Sequence, residues 1–291
     1  MQVALHFGAP FTDENRIQLC LGKNRDRLSD SGTVIPRPSS YRKNLRSILK
    51  RFKDGTGDDA LRAEFLQTVA GTLTPNRLIF STDAFLGVPR MSVREDQFYP
   101  GHTFRLDSFL QLFDGAEVEL FFAICNPVTY LHSLMRAYPG EDVASLIEYS
   151  DPMLLRWSDF IAGLRETYPH LPITVWCNED CPLIWPEILQ SIAGVDSDFE
   201  LIGAYSFLEE LMDPDGFKRF QEYLKQRPNI TADQKSRVAT AFLEKFARED
   251  LLEEDIDYPG WTEADVETLT DLYDADLVTI QNIPNITVLQ P

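Results

Sequence analysis

The segment Val3-Ala-Leu-His-Phe-Gly-Ala-Pro-Phe-Thr-Asp-Glu-Asn-Arg16 decides how the chain reads. Its apolar run, Val3 to Phe7, stops at Gly8 and Pro10 and passes into a helical pattern of Ile17, Leu19, Cys20 and Leu21. Strand, tight turn and helix in succession are the layout of a phosphate-binding loop, in which backbone N–H groups at a helix N-terminus cradle an anion. The turn has neither the lysine nor the second glycine of such a loop, and it carries Asp13 and Glu14. Backbone pattern and side chains point in opposite directions.

Outward from that segment, Arg77–Ser81, Glu117–Cys125 and Pro172–Cys177 read as further buried strands. Each is short, rich in aliphatic and aromatic residues, and bounded by Pro, Asn or Gly. Helical patterns lie between them at Arg16–Leu28, Asp58–Thr72, Leu106–Phe113, Pro127–Tyr138, Pro152–Tyr168 and Pro182–Ala193. Strands alternating with helices imply crossover connections, hence an α/β fold. The expected architecture is a three-layer P-loop-type fold with a mostly parallel central sheet, whose ligands sit at the C-terminal ends of the strands. From Ser206 the chain is mainly helical: Phe207–Met212, Asp215–Gln226, Thr231–Leu251 and Thr262–Val278. No linker or repeat separates this part. The expectation is therefore a single domain, 1–291, with 206–291 as a helical C-terminal extension packed against the sheet.

Composition narrows the class. The 291 residues are 44% hydrophobic and 25% charged, enough for one large core. No apolar run is long enough for a membrane span, and no signal peptide is visible, so a cytoplasmic protein is expected. Cys20, Cys125, Cys177 and Cys181 lie in or beside apolar runs and read as reduced, buried thiols. Cys177 and Cys181 lack a second Cys/His pair nearby, so no metal site is expected.

The net charge is −19, unevenly placed. Residues 37–53 carry seven basic side chains and no acid, whereas residues 249–276 carry twelve acids and no base. Overall acidity argues against nucleic acid or an anionic membrane as partner. Arg42, Arg46 and Lys50 recur at four-residue spacing, so they line one helical face. That face either holds an anionic ligand or is solvated opposite the protein's own acidic regions.

In order along the chain, His6-Phe-Gly8-Ala-Pro10, the turn from Gly32 to Pro36, Ser81-Thr82-Asp83, Cys125-Asn126-Pro127 with Ser133, and the stretch from Trp261 through Tyr273-Asp-Ala-Asp276 to Pro291 form a series. That series resembles the sulfotransferase family, which moves a sulfuryl group from 3′-phosphoadenosine 5′-phosphosulfate (PAPS). The resemblance implies that Gly8, Ala9, Pro10, Phe11, Thr12, Asp13, Glu14 and Asn15 occupy the 5′-phosphosulfate loop. It places Asn126 and Ser133 at the 3′-phosphate positions and makes Asp83 the carboxylate general base for the acceptor. The acceptor it implies is a glycan or small hydroxylated molecule.

Departures from the family pattern fall on the groups that neutralise the ligand. Phe11 stands where the loop lysine is expected, Asp13 where a glycine is, and Glu14 and Asn15 where threonines are. Asn126 stands in place of an arginine, removing a bidentate cation. A carboxylate a few ångströms from a phosphosulfate repels it by about 1 kcal/mol in water and more when partly desolvated. The expectation is a degenerate PAPS site, with no certain cofactor, and a noncatalytic role or another, anionic ligand. The alternative is an active transferase using PAPS, with Arg42, Arg46 and Lys50 supplying the missing charge.

Among the other candidates, His102 in Tyr99-Pro-Gly-His102 is a loop histidine within reach of a cleft, and a second catalytic candidate. His6 reads as a hydrogen-bonded structural residue, and His132 and His170 as surface or helix-end residues. Asn178-Glu179-Asp180 reads as the cap of the following helix rather than a cation site. Trp157, Trp176, Trp185 and Trp261 read as core. Asp13, or a neighbour, is expected to cap the first helix, an internal carboxylate in the anion's place. The acidic C-terminal helices present a solvated face or dock a protein partner.

Overall fold

The computed structural model describes residues 1–12, 14–83, 85–251 and 260–291, with Phe104 and Glu249 described by backbone alone. The strands are β1 (Gln2–His6), β2 (Thr33–Val34), β3 (Arg77–Ser81), β4 (Val93–Arg94), β5 (Gln97–Phe98), β6 (Glu117–Ile124), β7 (Ile173–Cys177) and β8 (Ile286–Leu289). The helices up to the last crossover are α1 (Arg16–Lys23), α2 (Arg25–Ser29), α3 (Pro38–Lys53), α4 (Asp59–Ala70), α5 (Thr103–Leu112), α6 (Pro127–Ala137), α7 (Val143–Leu146), α8 (Trp157–Thr167) and α9 (Cys181–Ala193). After them come α10 (Ser206–Leu211), α11 (Pro214–Lys225), α12 (Ala232–Phe246) and α13 (Glu263–Gln281).

The central sheet has six strands in the order β2-β3-β1-β6-β7-β8, and every neighbouring pair is parallel. The sheet is thus wholly parallel where a mostly parallel one was expected. Alternation along the strands divides the interior into two layers. Val3, Leu5, Leu78, Phe80, Leu120, Phe122 and Val175 pack on one face with residues of α3, α4, α5, α6 and α8. Ala4, Ile79, Phe121, Ala123 and Trp176 pack on the other with α1 and α9. Both faces are covered, which is why the strands read as near-continuous apolar runs.

Three features depart from the sequence expectation. The segment from Gly32 to Pro36 contains β2, which pairs with β3. The first helix breaks at Asn24, whose side chain donates to the Cys20 and Ile202 carbonyls and accepts from the Ile202 N–H, so a tertiary contact replaces helical continuity. The C-terminal region does not pack on the sheet as a unit. α10, α11 and α12 build their own small core of Leu208, Met212, Phe217, Phe220 and Ala239, docked on α9. α13 crosses to the opposite face, against α6 and α8, and delivers β8 to the open edge of β7. No helix among the described residues is long and apolar enough to cross a membrane.

Candidate functional site

β1 lies between β3 and β6, so the turn after it opens at the centre of the sheet's C-terminal edge. The ladder with β6 runs past the strand, with Phe7 N donating to Phe121 O at 3.0 Å and Ala9 N to Ala123 O at 2.9 Å. The chain then reverses. Thr12 donates to the Ala9 carbonyl through its N–H at 3.3 Å and its hydroxyl at 2.6 Å. A Cβ on Gly8 would lie 2.6 Å from Thr12 Oγ1 and 3.4 Å from His6 Nε2, so this position is closed to a side chain.

Gly8, Ala9, Pro10 and Thr12 are buried, whereas Glu14 and Asn15 are exposed. Phe11, Glu14 and Asn15 have φ of 73°, 47° and 65°, in the left-handed region that favours glycine. The Phe11 ring leans on Tyr130 of α6, centroids 5.9 Å apart, and joins the core on that face. Asn15 is the residue before α1 and makes no side-chain cap; its Oδ1 accepts from Arg42 of α3 at 3.1 Å. The expected cap by Asp13 lies outside the described residues.

His6 ends β1 on the α1/α9 face. Its ring stacks on Trp176, and Nδ1 is 2.8 Å from Ser81 Oγ. Burial lowers its pKa from 6.5 to about 3, so the imidazole is neutral; nearby Asp83 pulls the other way. Asp83, half-buried just beyond β3, therefore shares the strand-end cluster with His6 and the loop.

Asn126 follows β6, the neighbour of β1, and all of its polar groups are engaged within the protein. Its Oδ1 accepts from Val128 N at 2.9 Å, capping α6, and its Nδ2 donates to Thr270 Oγ1 of α13 at 3.1 Å. Its backbone N–H donates to Glu179 Oε1 at 2.7 Å. Glu179 Oε2 accepts from Tyr273 Oη at 3.1 Å. Burial pushes the Glu179 carboxyl up, and the hydrogen bonds from Asn126 and Tyr273 hold it down. A Glu179 that caps its own helix was expected; instead it reaches across to the end of β6, and α9 starts without a side-chain cap.

A second carboxylate is placed in the same way. Asp276 of α13, 4% exposed, accepts from Trp157 N at 2.7 Å and Ser158 N at 3.1 Å, the first N–H groups of α8. Trp157 Nε1 donates to the Cys125 carbonyl at 2.7 Å. α13 thereby closes the crevice between β6 and β7 with Thr270, Tyr273 and Asp276. Local pattern could not have exposed these links, because each partner lies 94 to 144 residues away.

The remaining candidates scatter. His102 precedes α5, with Nδ1 3.1 Å from Tyr99 O and its ring edge-on to Phe160 of α8 at 5.1 Å; burial lowers its pKa. It faces α8 rather than the loop. Ser133 is half-buried on α6, and His132, expected at the surface, is 9% exposed. Arg42, Arg46 and Lys50 do line an exposed face of α3, and they form no ion pair among the described residues. The four cysteines are buried and form no disulfide, and no group of His, Cys, Asp or Glu among the described residues could hold a metal ion.

No family profile matches the sequence, and no curated protein matches it. Among solved structures, a sulfotransferase from Alicyclobacillus acidocaldarius is similar at a TM-score of 0.40 and 13% identity, over 83% of this chain and 93% of that one.

Proposed function

We propose that this is a sulfotransferase-like protein whose PAPS site has been converted to internal structure, leaving a noncatalytic role or a different ligand. Asn126 carries the reading. At the position where the family resemblance calls for a phosphate-binding arginine, every polar group of the residue is bonded within the protein. One of those bonds brings a carboxylate to the spot: Glu179 takes the backbone N–H. A 3′-phosphate there meets a carboxylate, which when ionised repels it by about 1 kcal/mol at ~4 Å in water. Phe11 adds support, because the residue in the lysine position is spent on packing against Tyr130. The residues present do not fit PAPS.

A second reading, an active transferase for a glycan or small hydroxylated acceptor, is favoured by one contact. Arg42 reaches Asn15 and brings a cation of α3 to the loop. Calorimetric titration with 3′-phosphoadenosine 5′-phosphate separates the two. The first reading expects no saturable binding tighter than about 1 mM, or about 4 kcal/mol. Micromolar binding would overturn it in favour of the second.

A further inference from the structure

Arg105 of α5 is a half-buried cation in a protein with 46 acidic residues, and it forms no ion pair among the described residues. Its recorded donor contact is to the Met91 sulfur at 3.8 Å, a weak acceptor. The guanidinium lies against Gly87, where a Cβ would stand 2.8 Å from Nη1, and Gly87 has a φ of +142° that other residues rarely adopt.

Its surroundings raise the positive potential. α3 packs along α5, and Arg46 on α3 lies close enough to lower the Arg105 pKa by repulsion, in addition to burial. Arg42, one turn earlier on α3, extends the line of cations toward Asn15 of the loop. Tyr99 adds an independent sign. It is 2% exposed, its hydroxyl has no hydrogen-bond partner, and its titratable neighbours are Tyr130, Cys125, Asp83 and Arg105. Tyr99 also holds a left-handed φ of 50°, fixed by its N–H to Ser92 O at 2.7 Å. A strained backbone that delivers an unpaired donor beside the half-buried Arg105 guanidinium is costly unless something completes it.

We propose that the α3–α5 seam binds a small phosphate or sulfate monoester, with Arg46 and Arg105 on the oxyanion and the Tyr99 hydroxyl as a neutral donor. A tetrahedral oxyanion offers the several acceptor atoms that two guanidinium forks and a phenol together require. The site borders the β6–α6 junction, because Tyr99 neighbours Cys125 and Tyr130, but its cations come from α3 and α5 and it does not depend on how Asn126 is read. Phosphate and sulfate differ in one testable respect, since a phosphate monoester gains its second charge near pH 6.

The experiment is titration of the full chain with phenyl phosphate and phenyl sulfate at about 50 mM salt, where screening is weak. It is repeated on Arg46→Gln, Arg105→Gln, Tyr99→Phe and, as a distant control on α11, Lys218→Gln. Saturable binding is expected, weakened at least about tenfold by either arginine change, severalfold by Tyr99→Phe, and not by Lys218→Gln. A severalfold gain for phenyl phosphate alone between about pH 5.5 and 7.5 identifies a phosphate ester as the fitting ligand; tighter, pH-independent phenyl sulfate identifies a sulfate ester. Without ligand, Arg105→Gln should melt no lower than the parent, because it removes an uncompensated charge. Absence of saturable binding, or affinity unchanged in Arg46→Gln (an exposed position that tolerates the change), overturns the proposal. Binding of 3′-phosphoadenosine 5′-phosphate that vanishes in Arg105→Gln belongs to this site. Binding that persists counts instead against the loss of the nucleotide site.

Discussion

His6 shows how much one residue commits. Its ring is enclosed by Trp176, Ser81 and the Gly8 turn, and burial sets its pKa at about 3 against 6.5 in water. Because the folded value is depressed, the unfolded chain binds the proton first. The stability His6 confers as a neutral ring is full above pH 6.5 and is lost as pH falls from there toward 3. One proton taken up on unfolding corresponds to about 1.4 kcal/mol per pH unit. Urea denaturation of the parent and of His6→Gln between about pH 6.5 and 4.5 should show that difference in slope, with the variant the flatter. Parallel pH profiles would mean that the folded state does not hold the ring neutral. The location of His6 at a strand end was legible in the sequence because Val3–Phe7 is a local apolar run. The neutrality of the ring was not, since Trp176 and Ser81 reach it from other strands.

Among the elements, α8 is the most dependent on a distant partner. Its first N–H groups point at the Asp276 carboxylate, which burial pushes up and those same bonds pull down. Asp276→Ala should cost about 1–2 kcal/mol, the usual value of a lost N-terminal cap. Asp276→Asn keeps an acceptor oxygen without the buried charge and should cost distinctly less. Chemical denaturation of the two variants decides; equal losses would show that the charge, not the hydrogen bonds, holds α8. The sequence was a good guide to β1, β3, β6 and β7, and to most helix spans, because strands and helices of that length carry their own period. It passed over β2 and β8, which are short and only partly buried, and whose pairing is decided by β3 and β7. The loop positions were likewise read correctly as a turn between strand and helix. The carboxylates that fill the neighbouring crevice were hidden, because they arrive from the turn before α9 and from α13.

At the scale of the molecule, the described residues form three buried clusters rather than one. The two layers on the sheet faces share the strands between them, whereas the α10–α12 cluster touches the rest chiefly through α9. Phe220, fully buried at its centre, packs on Tyr205, Phe217 and Phe242. Phe220→Ala should cost about 3–5 kcal/mol by cavity formation. The loss should fall on the cluster first, as faster hydrogen exchange in α11 and α12 with strand amides of β1 and β6 little changed. Uniform acceleration across the sheet would mean that the cluster and the sheet unfold together. Charge is divided on the same scale. A basic face on α3 and an acidic α13 coexist without a recorded ion pair between them, which keeps the α3–α5 seam positive within an acidic molecule.

The grip of α13 on the β6–α6 junction also sets a clock. Asn126 and Thr270 are 144 residues apart, and β8 pairs with a strand made long before it. On the ribosome, at about 5–20 residues per second, β6 and β7 wait on the order of ten seconds for the segments that finish them. Throughout that interval β7 is an open, apolar edge, Glu179 lacks Tyr273, and the first turn of α8 lacks its carboxylate. A folding helper, or slow codons placed to let the earlier strands pair first, would act within that interval and nowhere else. The chain's hazard of misassembly is a matter of timing, and it ends when α13 docks and β8 pairs with β7.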